Sequence, residues 1–132
     1  MYDKKLIFDK TKSVLIAETD LDLAAQIKEQ FISLDYMVYP VISSGEELIA
    51  QALLLTPSLI IANTILNGQL DGIEAISRLE EAANINYIFI SAYEEQRQLI
   101  ASYFLHPLNI IRIPVNFNNL INFISSCNLE PV

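Results

Sequence analysis

The sequence predicts a doubly wound α/β domain, a five-stranded parallel sheet with helices on both faces, and three observations carry that expectation. Short runs of branched apolar residues alternate five times with segments that read as helices. The runs Val14-Leu15-Ile16 and Leu59-Ile60-Ile61-Ala62 are apolar at every position, as strands covered on both faces must be. The runs end on polar residues or proline, and helical crossovers between parallel strands gather such ends along one edge of the sheet. Ligand chemistry in open α/β sheets sits at that edge.

The elements follow in order. Ser13–Ala17 reads as a buried strand that ends at Glu18-Thr19-Asp20. Asp20 or Asp22 can cap the next helix, whose apolar positions Leu23, Ile27, Phe31 and Leu34 recur at spacings of three and four. Tyr36–Val41 reads as the second strand. A Ser-x-x-Glu capping pattern, Ser43 to Glu46 or Ser44 to Glu47, opens the second helix, and Pro57 closes that region. Leu59–Ala62 is the third strand, running into Asn63-Thr64 and a loop with Gly68 and Asp71-Gly72. Ile73–Ala83 is helical, Tyr87–Ile90 is a strand ending at Ser91-Ala92, and Glu94–Leu105 is helical. Ile110–Ile113 is a strand ending at Pro114, and Asn118–Cys127 is a last helix.

A chain of 132 residues is long enough to bury one core, and no repeat or Gly/Ser/Pro-rich linker divides it. The expected organisation is an N-terminal extension over 1–12, one domain over 13–127 and a tail over 128–132. The single cysteine, Cys127, excludes an intramolecular disulfide and a Cys-rich metal site and suits a reducing cytoplasm. Met1–Lys12 has only the short apolar run Leu6 to Phe8, and nowhere do 18 apolar residues run together, so a cytoplasmic location is expected. Met1–Lys12 carries four lysines and two aspartates, or +2; Ser13–Glu95 carries thirteen acids against Lys28 and Arg78, or −11. Gln96–Val132 carries Arg97 and Arg112 against Glu130, or +1. The acidic middle repels phosphate backbones and anionic lipids, which argues against nucleic-acid or membrane binding. The apolar C-terminal third contributes either to the core or to a partner surface.

At the strand ends the pattern becomes specific. Val14-Leu15-Ile16-Ala17-Glu18-Thr19-Asp20 resembles the first-strand motif of response-regulator receiver domains, and Pro57 to Leu66 resembles the stretch around their phosphorylated aspartate. Asp71-Gly72-Ile73-Glu74 is similar to the turn that follows it; Ile88 to Ala92 and Ile110 to Pro114 resemble the fourth and fifth strands. The resemblance spans about Ser13 to Cys127. It implies the flavodoxin-like receiver fold and a signalling role in two-component or phosphorelay systems, with no enzymatic activity.

In that family an aspartate takes a phosphoryl group, two acids after the first strand help to bind Mg²⁺, a Ser/Thr and a Lys contact the phosphoryl group, and an aromatic on the fifth strand rotates. Here the acceptor position is Asn63, whose neutral amide cannot form an acyl phosphate. Of the two acid positions the first holds Glu18 and the second Thr19, which removes a charge, and Asp20 replaces it only if the loop shifts. Ser91 matches the hydroxyl that senses the phosphoryl group, but the aromatic position is Ile110 and the lysine position is Ile113. Arg112, one residue earlier, should face the other side of the strand. Mg²⁺ binding should therefore be weak at most, and no other cofactor is implied.

Simpler roles stand beside these. Asn63 can be a strand-end residue bonded to nearby backbone, Glu18 and Asp20 a solvated loop and helix cap, and Ser91 a strand-end hydroxyl. His106 reads as solvated, and Cys127 as a small buried hydrophobe. The expected function is a pseudo-receiver that works through protein contacts without aspartyl phosphorylation. The resemblance places its contact face across Glu94–Leu105, Ile110–Ile113 and Asn118–Cys127, toward a sensor kinase, an output domain or a second copy. The alternatives are phosphorylation of a neighbouring hydroxyl such as Thr64, and a flavodoxin-like cofactor binder. The second lacks a Gly- and Ser/Thr-rich phosphate cradle after strands one and three.

Overall fold

A computed structural model describes residues 12–91, 110–112 and 115–126. In chain order these hold β1 (Ser13–Ala17), α1 (Leu21–Ser33), β2 (Met37–Val38), α2 (Gly45–Leu55) and β3 (Leu59–Asn63). There follow α3 (Gly72–Ala82), β4 (Tyr87–Ser91), β5 (Ile110–Arg112) and α4 (Phe117–Ser126). The five strands pair in parallel in the order β2-β1-β3-β4-β5. The chain reverses its direction of travel across the sheet between β1 and β3, the switch point outside whose carboxyl ends open α/β sheets bind ligands.

Strand alternation sorts the core into two layers. Val14, Ile16, Leu59, Ile61, Ile88 and Ile90 meet Ala24, Ile27 and Phe31 of α1 and Leu120 and Ile124 of α4. Leu15, Ala17, Ile60, Ala62 and Phe89 meet Leu48 and Ala52 of α2 and Ile73, Ile76 and Leu79 of α3. All these side chains are buried, so the strands are apolar at every position because both faces are covered. At the amino ends of β1 and β3, Ser13 and Ser58 clasp the two strands. The Ser13 N–H donates to Ser58 Oγ at 2.9 Å, and Ser58 Oγ–H donates to the Ser13 carbonyl at 2.7 Å.

The doubly wound sheet matches the expectation, and the differences in detail have local causes. β2 is two residues long rather than the run Tyr36–Val41, because the register against β1 slips by one residue between the Val14–Val38 pair and the Ala17–Ile42 bridge. Beyond it, Ile42 N–H donates to the Ile16 carbonyl at 3.0 Å and Glu18 N–H to the Ile42 carbonyl at 2.9 Å, which keeps the chain beside β1. Asp20, not Asp22, caps α1, accepting from the N–H groups of Asp22 and Leu23. Ser44, not Ser43, caps α2 and exchanges hydrogen bonds with Glu47. Asp71 caps α3, which begins at Gly72 rather than Ile73. The expected helix Glu94–Leu105, the extension over 1–11 and residues Arg97, His106, Ile113 and Cys127 lie outside the described residues.

Candidate functional site at the carboxyl ends of β1 and β3

Parallel pairing sets Ala17 opposite Ala62, so the residues that follow, Glu18 and Asn63, meet at the switch point. Glu18 is a carboxylate with only 1 % of its surface exposed. Burying such a group requires donors around it, and it has them. Glu18 Oε2 accepts from the Thr19 N–H at 2.7 Å, the Asp20 N–H at 3.0 Å and Asn63 Nδ2 at 3.2 Å; Oε1 accepts from the same Asn63 nitrogen at 2.9 Å. The other end of the Asn63 amide is also fixed, since Oδ1 accepts from the Ile65 N–H at 3.0 Å. A backbone N–H only donates and a carboxylate only accepts, so these partners determine which way round the amide lies.

The neighbouring residues divide into those drawn into this network and those turned away. Thr19 is exposed and contributes its backbone N–H. Asp20 is exposed, and one of its carboxylate oxygens is engaged at the start of α1 rather than beside Glu18. Thr64 is buried, its hydroxyl without a hydrogen-bond partner among the described residues, while its backbone N–H donates to Ile90. Ser91 is buried at the end of β4, one residue beyond Ile90, the register partner of Asn63. Ile110 is half-buried on β5 opposite Phe89, packed in the α2/α3 layer. β5 is described through Arg112. The structure thus joins Glu18, Asn63 and the backbone of Thr19, Asp20 and Ile65 into one unit.

Three features go beyond the sequence reading. Glu18 is not a solvated loop residue: it is buried and bonded, while Asp20 does serve as the cap. Asn63 combines the two roles that stood apart, bonding backbone through Oδ1 and a specific side chain through Nδ2. Gly72 was legible only as part of a turn. A Cβ on it would collide with the Asn63 carbonyl oxygen and press on Thr64 Cα, so a bare backbone is needed where α3 abuts the end of β3.

Mg²⁺ fits this arrangement poorly. The ion prefers near-octahedral oxygen coordination with one or two carboxylates. A carboxylate offers roughly four acceptor sites, and Glu18 already receives four donor contacts, while Asn63 turns an NH₂ group toward it. Nor does an amide carry the nucleophilic oxygen from which an acyl phosphate forms.

Comparison with known proteins agrees with this architecture. The family model described as the response regulator receiver domain matches residues 14–125, and the chain belongs to that family, a class of two-component signalling domains. It is similar to the signal receiver domain of a modulated diguanylate cyclase from Desulfovibrio desulfuricans G20. There 32% of residues are identical over 86% of this chain and 90% of that one, with a TM-score of 0.75. The REC domain of the PhyR response regulator of Erythrobacter litoralis is 20% identical over 93% of this chain and 96% of that one, at a TM-score of 0.74. The response regulator PhyR of Brucella abortus is 24% identical over 86% of this chain but only 46% of that one, also at 0.74. These last two likenesses speak for the fold alone. No curated protein matches the chain. Among the described residues no helix is long and apolar enough to cross a membrane.

Proposed function

We propose that this receiver domain, spanning 13–127, is a pseudo-receiver of the cytoplasm that signals through protein contacts, without enzymatic activity and without phosphorylation at Asn63. One observation carries the reading: at the acceptor position stands an amide whose two ends are committed to Glu18 and to the Ile65 N–H. The Thr64 alternative is weakened by burial, since a hydroxyl with 1 % of its residue exposed does not meet a phosphodonor in solution. The cofactor-binding alternative loses ground to the family match.

For the partner we keep the Glu94–Cys127 face and a sensor kinase, an output domain or a second copy of the chain. The described part of that face is selective. Leu120 and Ile124 serve the core, while Asn118 and Asn122 are exposed. Among the described residues the exposed large apolar side chains stand instead on α1, α2 and the loop after β3: Leu21, Ile32, Leu53, Leu54 and Ile65. The surplus of apolar residues in the C-terminal third is therefore partly a core requirement.

The test is intact-mass measurement after treatment with acetyl phosphate and Mg²⁺. The expected result is an unchanged mass. A stable adduct of about 80 Da, the mass a phosphoryl group adds, mapping to Asn63 or Thr64 would overturn the reading.

A further inference from the structure

We infer that the Asn63 amide, by donating hydrogen bonds to Glu18, performs inside the fold the bridging that a bound cation performs between two carboxylates, so that the loops after β1 and β3 are tied together without any ligand. The inference deepens the pseudo-receiver reading and rests on the same pair of residues. Asparagine and aspartate have nearly the same shape and differ by an NH₂ in place of an oxygen. That one group decides the sign of the contact. As NH₂, the atom next to Glu18 donates to both carboxylate oxygens, at 2.9 and 3.2 Å. As a carboxylate oxygen in the same place, it would set one negative charge against another in a site where Glu18 is almost wholly shielded from water.

The consequence reaches past Asn63. Through Oδ1 the same side chain holds the Ile65 N–H, and through Glu18 it is joined to the N–H groups of Thr19 and Asp20. Both loops that border the switch point are thereby fastened to one amide–carboxylate pair. A pair that needs no ion gives the loops one arrangement at every Mg²⁺ level. The change Asn63→Asp removes the donor and creates a place that only a cation, or a new donor, can relieve.

The geometry also supplies a second way to satisfy that place. In the double variant Glu18→Gln with Asn63→Asp, amide and carboxylate trade positions. The carbonyl oxygen of the new glutamine can accept from Thr19 and Asp20 while its NH₂ donates to the new aspartate. The second oxygen of that aspartate remains for the Ile65 N–H. The polarity of the pair is reversed and every donor keeps an acceptor.

The experiment is thermal unfolding of the full chain in EDTA and in millimolar Mg²⁺, for the wild type, Asn63→Asp, Asn63→Ala and the double variant. The wild-type midpoint is expected to be the same in both buffers. Asn63→Asp should fall by roughly 8 °C in EDTA and regain at least half of that in Mg²⁺. Asn63→Ala should fall without regaining anything, and the double variant should recover most of the loss in EDTA and ignore Mg²⁺. If Asn63→Asp does not fold in either buffer, the double variant decides: folded and stable supports the inference, unfolded overturns it. A wild type raised several degrees by Mg²⁺, an Asn63→Asp protein as stable as wild type in EDTA, or a double variant no better than Asn63→Asp each overturns it as well. Failure of the swap leaves the absence of acetyl phosphate labelling untouched, and labelling of the wild type would defeat the pseudo-receiver reading whatever the swap shows.

Discussion

Replacing Gly72 with alanine is expected to destabilise the domain by about 3 kcal/mol or more, lowering the unfolding midpoint by roughly 10 °C. The cause is space rather than backbone conformation. α3 starts against the end of β3, where the Gly72 N–H donates to the Thr64 carbonyl at 3.0 Å. An added Cβ there meets the Asn63 carbonyl oxygen and Thr64 Cα, which are backbone atoms and can yield only if the strand end moves. Moving it disturbs the Asn63 side chain as well. Gly68→Ala makes the informative comparison, since Gly68 has a φ of 89° but its added Cβ meets the flexible Glu46 carboxylate. That change should cost about 1 kcal/mol. Urea unfolding of the two variants measures the difference, and equal costs would mean that α3 does not press on β3 as described.

Glu18→Ala is expected to cost about 3 kcal/mol, because it removes a buried carboxylate and with it the acceptor of Asn63 Nδ2 and of the N–H groups of Thr19 and Asp20. Asp20→Ala, two residues on, removes only a helix cap at the surface and should cost about 1 kcal/mol. The contrast separates a buried organising carboxylate from a solvated loop acid. If both substitutions cost the same when measured by denaturant unfolding, Glu18 contributes no more than Asp20.

Much of the architecture was readable because strands covered on both faces leave a local mark. β1, β3 and β4 are nearly continuous apolar runs, and the helices between them show spacings of three and four. Where the local mark misled, a shift of register was responsible. The apolar run Tyr36–Val41 looked like a full strand, yet the ladder stops at Val38 and pairing resumes at Ile42 one residue out of step. Asp20 and Asp22 were equally good caps by composition, and only the chain's entry into α1 chose between them.

The site was harder to read. Glu18 and Asn63 could be located as strand-end residues, but the burial of Glu18 depends on the register of β1 against β3, a pairing across 45 positions that leaves no local trace. The same holds for the surface. Leu120 and Ile124 lie in the core while Leu21 and Leu54 face outward, because the helix faces are assigned by the sheet they cover and not by their own composition.

The central claim, that the Glu18–Asn63 pair is satisfied by its own neighbours and indifferent to the ions and phosphoryl groups that would act at such a place, is tested most directly by amide NMR of the wild-type chain. The spectrum would be recorded alone, with millimolar Mg²⁺, and with Mg²⁺ plus beryllofluoride as a phosphoryl mimic. The backbone N–H signals of Thr19, Asp20 and Ile65 and the side-chain NH₂ signals of Asn63 are expected to stay where they are throughout, with the Asn63 pair slow to exchange with solvent. Saturable shifts of these signals on adding Mg²⁺ or the mimic would contradict it.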